Sequence, residues 1–283
     1  MVQCAMDLID LALQEDLGDA GDVTSEAIFG KETGSFTVTS KDTGILCGTR
    51  VCISVCARLD PGITVTLHKQ DGDRLAKGDT VASITGRVSS ILAAERTALN
   101  FLSHLSGIAT KTHAFVRQSG GRVRIMDTRK TIPGLRELEK YAVACGGGEN
   151  HRKGLYDMVL IKDNHIDAAG GITQAVQAVK RRWGDMYFIE VETRNLPEVT
   201  EALSCGADRI MLDNMDISVI CEAVKLISGR AEIEASGNMS RERIQELADA
   251  GVDCISFGEL THTVKAFDFS LKKSGRQRWK TPT

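Results

Sequence analysis

From residue 122 onward this chain repeats one unit: a short apolar run, a polar or charged residue at its end, then apolar residues at helical spacing. Candidate strands fall at 123–127, 157–162, 187–192, 208–212, 231–235 and 253–257, with candidate helices at 136–145, 171–182, 196–204, 216–227 and 240–250. The later strands recur at roughly 21 to 23 residues, room for a strand, a loop and a helix. Units of this kind join by right-handed crossovers, so their strands run parallel and form a barrel or an open doubly wound sheet. An open sheet collects its functional groups at a switch point. Here they stand at the C-terminal end of every strand: Asp127-Thr-Arg-Lys, Lys162-Asp-Asn-His, Glu192, Asp213-Asn, Glu234-Ala-Ser-Gly and Gly258. A barrel gathers all these ends around one mouth. The sequence therefore predicts an α/β barrel, incomplete because six strands are clear.

The preceding stretch has a different pattern. Leu8, Ile9, Leu11, Ala12 and Leu13 mark an amphipathic helix over 5–17, and SFTVTS, ITVTLHK and TVASITG alternate as strands between 34 and 86. That layout is similar to hammerhead or biotinyl-type β modules, but no lysine is displayed at a hairpin tip, which argues against a carrier role. A long helix follows, with Ile91, Leu92, Leu99, Leu102, Leu105 and Ile108 in register. The tail begins FDFSL, a candidate strand, and ends in KKSGRQRWKTPT, read as a solvated end. At 283 residues there is room for two domains. A net charge of −3 argues against a nucleic-acid partner. No apolar run is long enough to cross a membrane, and the acid-bearing N-terminus resembles no signal or transit peptide. The eight cysteines, at 4, 47, 52, 56, 145, 205, 221 and 254, show no zinc-ligand spacing. They read as reduced thiols of a cytoplasmic enzyme.

The chemistry concentrates at 127–165, DTRKTIPGLRELEKYAVACGGGENHRKGLYDMVLIKDNH. Arg129, Lys130, His151, Arg152 and Lys162 make one half of the mouth cationic, suited to carboxylates or phosphates. Glu192 and Asp213 make the other half acidic, suited to Mg²⁺. In Ile-Glu-Val-Glu the period of two puts Glu190 on the same face as Glu192, where a barrel-interior cation would pair with it. Ala235-Ser-Gly-Asn and Ser256-Phe-Gly precede helices, as phosphate-binding corners do, and as tight turns also do. Lys162 equally suits a Schiff-base nucleophile. His151 and His165 equally suit structural roles, and Arg96 an ion pair with Glu95.

These motifs, with ERTALNFLSHLSGIAT before them and IEVET, IMLDNM, IEASGN and GVDCISFGELTH after them, resemble the quinolinate phosphoribosyltransferase family, also called carboxylating nicotinate-nucleotide pyrophosphorylases, from about residue 7 to 271. The resemblance implies an N-terminal α/β sandwich domain, 1–107 with 266–283 packing back on it, and an open seven-stranded α/β barrel, 108–265. It implies transfer of phosphoribose from phosphoribosyl pyrophosphate to quinolinate with decarboxylation, in NAD biosynthesis, with Mg²⁺. Arg129, His151 and Arg152, with Thr128, Lys130 and Lys162, match the quinolinate-binding residues. Lys130 and Lys162 also face the donor. Glu192 and Asp213 match carboxylates facing ribose and metal, and Ser236, Gly237, Asn238 and Gly258 match phosphate-binding turns. Lys130, Lys162, Glu192 and Asp213 are thus the expected catalytic set. Arg96 matches an arginine that reaches a neighbouring subunit's site, implying a homodimer or a dimer-based assembly. Asn238 departs from the glycine common there; asparagine is the least costly non-glycine choice if φ is positive. The alternatives are a relative acting on a different ring acid and a Schiff-base barrel aldolase using Lys162.

Overall fold

The computed structural model describes residues 3–237 and 240–275. They divide into two compact units, one of Met1–His113, Ile132–Gly147 and Thr263–Thr283, the other of Ala114–Thr131 and Gly148–His262.

The first unit is built on an antiparallel sheet. β1 (Thr33–Ser40), β3 (Thr64–Leu67), β5 (Thr80–Arg87) and β12 (Phe269–Lys273) pair in the order β12-β1-β5-β3, while β2 (Gly44–Ile45) and β4 (Arg74–Leu75) form a separate ribbon. Phe36, Val38 and Ser40 alternate inward along β1, as one buried face of a strand requires. The FDFSL strand expected near the terminus is β12, antiparallel to β1 with Val38 opposite Leu271. The rest of the cationic tail, from 276, lies outside the described residues, as does Asn238. Helix Thr49–Leu59 buries Val51, Cys52, Val55 and Cys56 along one stripe.

The second unit carries a parallel sheet of six strands: β6 (Arg124–Met126), β7 (Val159–Ile161), β8 (Ile189–Thr193), β9 (Arg209–Asp213), β10 (Glu232–Ser236) and β11 (Cys254–Ser256), in the order β6-β11-β10-β9-β8-β7. All six coincide with expected strands to within a residue or two. The sheet is barrel-like and open. Among the described residues, an isolated parallel bridge, Met126 to Glu149, adjoins the six strands at β6. Helices Ile172–Trp183, Leu196–Ser204, Ile217–Ile227 and Ile244–Ala250 follow successive strands from β7 on. Asn195 caps the second of these, its side chain accepting from the Glu198 amide at 3.0 Å. Every residue of β8 is buried, acids included. A strand covered on both faces has no solvated side, so Glu190 and Glu192 are carried inward.

The compact units are not continuous in sequence, and the expected boundary at 107/108 falls within one helix, Val88–Ser119, which runs on unbroken. Helix Arg136–Cys145, expected in the barrel, belongs with the first unit. There Glu139, fully buried, meets His104 at 2.8 Å, and a side chain at Gly146 would strike the Ala109 carbonyl oxygen at 2.5 Å. Among the described residues no helix is long and apolar enough to cross a membrane.

Candidate active site

Strand register builds the site. Ile161 pairs with Val191, which sets the next residues, Lys162 and Glu192, side by side. Asp213 pairs with Ser236, and Ser256 with Met126. The strand ends therefore form one rim around a cavity of about 580 Å³. Thr128, Arg129, Lys130, His151, Arg152, Lys162, Glu192, Asp213, Ser236 and Gly237 all line it. Among the expected site residues, Gly258 and Arg96 do not. Gly258 lies beneath the Lys130 stem, where a Cβ would approach Lys130 Cδ at 2.7 Å. Arg96 is exposed on its helix, its charge near enough to Glu95 to favour that carboxylate against the burial that raises it. Lining residues outside the strand-end motifs are Leu160 and Met211; Asp163, Asn214, Glu234 and Ser256 stood in those motifs without an assigned role. Their position one or two residues from a strand end, or at the inward phase of a strand, was the available signal.

On the cationic side, Arg129 stands close enough to Arg152 to disfavour its charge. Burial and then the Arg129 charge push the Arg152 guanidinium down from its ordinary value. The Nε atoms of both arginines are buried without a hydrogen-bond partner among the described residues. Two adjacent guanidiniums with inward donors unsatisfied are costly unless an anion joins them. Lys162 Nζ donates to Glu192 Oε2 at 2.7 Å. A lysine bonded to a carboxylate differs from the apolar setting in which a neutral amine attacks a carbonyl, so the Schiff-base alternative loses its support. His165 has a structural place: its Nδ1 accepts the Lys162 amide at 3.0 Å, at the start of helix Asp163–Ala169.

His151 lines the cavity from a buried position. Fully buried Asp127 accepts its amide at 2.8 Å. The Arg152 amide donates to its Nδ1 at 2.7 Å, so the ring hydrogen belongs on Nε2. Nε2 lies 3.1 Å from Glu190 and 3.4 Å from Glu234, both fully buried. The ring thus faces the barrel floor rather than offering an N–H to a ligand. It shapes the cavity by holding Arg152.

The partner expected for Glu190 is Arg209. Register sets Arg209 opposite Glu190 on β8 and opposite Glu232 on β10. Its Nη1 reaches Glu190 at 3.5 Å and Glu234 at 3.3 Å. Burial and the neighbouring Glu234 charge push Glu190 up. Burial opposes the charged form of His151, but the two carboxylates outweigh it and raise the imidazole to about 9. With Nδ1 taken by the Arg152 amide, the second proton of the His151–Glu190 pair lies on the Glu190 side; the charges of Arg209, Glu190 and Glu234 then cancel, and Glu232, which also meets Arg209, is offset by Arg124. The floor is an ionic cluster under the ligand cavity.

On the acidic side, Asp213 Oδ2 accepts from Asn214 Nδ2 at 2.9 Å. The Asn214 amide donates to the Ser236 carbonyl at 3.0 Å, and Asn214 itself has φ +54°. Gly237 follows at φ +108°, where a Cβ would fall 2.3 Å from Asn214 Oδ1. A glycine is required there on both counts. The Ser236 and Ser256 hydroxyls meet at 3.0 Å. The turn after β10 is thus drawn tightly onto the turn after β9, beside the carboxylates.

A parallel, open α/β barrel whose strand ends surround one bipolar cavity, guanidiniums and lysines on one side and two carboxylates on the other, defines a class: barrel enzymes that handle a carboxylate or phosphate ligand. Residues 22–106 match the family model described as Quinolinate phosphoribosyl transferase, N-terminal domain, and residues 108–272 the model of the C-terminal domain. The chain belongs to the quinolinate phosphoribosyltransferase family. It is 43% identical over 289 residues to the decarboxylating quinolinate phosphoribosyltransferase 1b of Nicotiana tabacum, covering 94% of this chain and 81% of the relative. It is 43% identical over 258 residues to the probable carboxylating nicotinate-nucleotide pyrophosphorylase of Bacillus subtilis, covering 91% and 89%. The solved nicotinate-nucleotide pyrophosphorylase of Francisella tularensis superimposes with a TM-score of 0.91 at 39% identity, covering 96% of both chains.

Proposed function

We propose that this chain transfers phosphoribose from phosphoribosyl pyrophosphate to the ring nitrogen of quinolinate. Pyrophosphate and CO2 leave and nicotinate mononucleotide forms, a step of NAD biosynthesis. The observation that carries this reading is the facing pair Arg129 and Arg152 with unsatisfied buried Nε donors. A pyridine dicarboxylate supplies two anionic groups at a fixed angle on a rigid ring, which two converging guanidiniums bind bidentately. Names of relatives from a plant and a bacterium point to the same acid or the same product nucleotide.

In the mechanism, Arg129 and Arg152 hold the acid, with Thr128 beside them and His151 fixing the Arg152 backbone. Lys130 and Lys162 face the diphosphate and offset the charge that develops as it leaves. Glu192 and Asp213 bind the ribose hydroxyls and lie near the positive charge that grows on the sugar as the C–O bond to pyrophosphate lengthens. Ser236, Gly237 and Asn238 receive the 5′-phosphate, and Gly258 gives Lys130 its room. Ribosylation turns the ring into a pyridinium, an electron sink for loss of the adjacent carboxylate. Decarboxylation then needs positioning more than a separate acid or base.

The two carboxylates fit Mg²⁺. Glu192 and Asp213 each commit one oxygen to Lys162 or Asn214, and hard oxygen donors in small number suit an ion that completes its shell with water and substrate oxygens. When bound, Mg²⁺ would supply charge neutralisation at the diphosphate. Arg96 of a second copy would complete the quinolinate pocket in a homodimer or dimer-based assembly. The reading places the enzyme in the cytoplasm, where the free thiols would persist. The test is an assay of purified protein with phosphoribosyl pyrophosphate, Mg²⁺ and either quinolinate or nicotinate. Nicotinate mononucleotide with stoichiometric CO2 from quinolinate is expected. Turnover of nicotinate alone, or of another ring acid in preference, would favour the relative acting on a different ring acid.

A further inference from the structure

Three side chains far apart in sequence meet in the first unit: Cys47, Asp71 and Cys145, whose two sulfurs and one carboxylate oxygen all lie within 4.8 Å of one another. Each is held by a separate element. Cys47 is fully buried, its amide donating to the Ser106 hydroxyl at 3.0 Å and its carbonyl accepting from the same hydroxyl at 3.0 Å. Asp71 is fixed through both oxygens, Oδ1 accepting the Thr49 amide at 2.9 Å and Oδ2 the Tyr141 hydroxyl at 2.9 Å. Cys145 ends helix Arg136–Cys145 and is half-buried. The His151, Glu190 and Glu234 trio also has donor atoms this close, but Arg209 supplies its positive charge. At Cys47, Asp71 and Cys145 the neighbours are neutral donors.

We propose that Cys47, Asp71 and Cys145 form a binding site for a thiophilic divalent cation of the zinc class. Two sulfurs and one carboxylate oxygen this close can converge on one ion as three corners of a tetrahedron, and the donor set favours Zn²⁺ over Mg²⁺, which prefers six oxygens. The fourth corner goes to water, entering past half-buried Cys145 and Asp71. Two S–H bonds break and two Zn–S bonds form, with both protons passing to solvent, so affinity rises with pH. The site is independent of the proposed reaction, and its test does not use activity.

Full-length reduced protein, stripped with a chelator, is titrated with Zn²⁺ against a chromophoric chelator and separately with Co²⁺. The expected result is one equivalent per chain, with tetrahedral Co²⁺ absorption and a thiolate charge-transfer band. Cys145→Ser and Asp71→Asn each lower affinity by roughly 100-fold or more, while Cys221→Ser leaves it unchanged. In the unsubstituted protein Zn²⁺ protects Cys145 from alkylation and Mg²⁺ does not, a readout that needs no variant to fold. No stoichiometric uptake at micromolar Zn²⁺, an octahedral Co²⁺ spectrum, uptake that survives Cys145→Ser, or unprotected Cys145 would each overturn the proposal.

Discussion

Replacing Arg209 by Met removes the guanidinium from the barrel floor and leaves Glu190 and Glu234, both fully buried, without the charge that lies 3.5 and 3.3 Å from them. At an effective dielectric constant of about 20, each such pair carries about 5 kcal/mol of attraction. Losing both with the carboxylates still charged would exceed most of a domain's stability, so one carboxyl takes up a proton instead. Protonating a carboxyl of ordinary value 4.5 at pH 7 costs about 3.4 kcal/mol, at about 1.4 kcal/mol per pH unit. The expected penalty at pH 7 is therefore roughly 3 to 4 kcal/mol, in line with other buried pairs broken on one side. The sign of the pH dependence follows from the raised folded value of that carboxyl: its protonated form is stable in the variant at low pH and is lost as pH rises. The deficit should shrink to about 1.4 kcal/mol near pH 5.5. Urea unfolding followed by tryptophan fluorescence, at about pH 5.5 and 7, measures both values. Adding Glu190→Gln to Arg209→Met should recover much of the loss. A penalty under about 1 kcal/mol at pH 7, or one equal at both pH values, would refute the account of the floor as a neutral buried cluster.

Arg152→Ala should raise half-saturation by quinolinate by roughly 10- to 100-fold, from loss of charge-assisted hydrogen bonds; the value for phosphoribosyl pyrophosphate should hold nearly constant, and equal effects on both substrates would undo the assignment. The His151 group keeps its proton up to about 9; a folded value above the ordinary 6.5 stabilises at lower pH and is lost as pH rises through about 9. Melting temperature should therefore drop between pH 7 and 10 more steeply in the parent than in Glu190→Gln. Arg96→Ala should fold normally and lose turnover. Mixed with inactive Arg129→Ala it should regain part of the activity through hybrid dimers that hold one intact site, and no recovery on mixing would count against a shared site.

Much of the fold was legible in local patterns. The parallel strands lie within a residue or two of their expected places, because short apolar runs between helical periods leave few other readings. Ten of the expected site residues line one cavity for a related reason: a charged residue at the end of a buried strand has one solvated direction open to it. Other features were not legible. The Met126–Glu149 bridge beside the six strands has no apolar run to announce it. Helix Arg136–Cys145 joins the first unit because Glu139 finds His104 there, a pairing between residues whose separation carries no periodic signal. His151 lay beside Arg152 in a basic motif, yet the acids beneath it come from β8 and β10, so its orientation could not be read from the motif.

The sequence by itself determined which segments are strands and helices and which end of each strand carries charge, since both follow from the periodicity and chemistry of neighbouring residues. The tertiary structure decided which charges meet. Arg209 faces Glu190 and Glu232 because strand register sets them opposite; Arg129 and Arg152 come together because Asp127, two residues before one, accepts the amide of His151 next to the other; Cys47, Asp71 and Cys145 gather because two loops and a helix end pack at one point. Contacts of this kind depend on strand order and packing across long stretches of chain, and no local pattern encodes them.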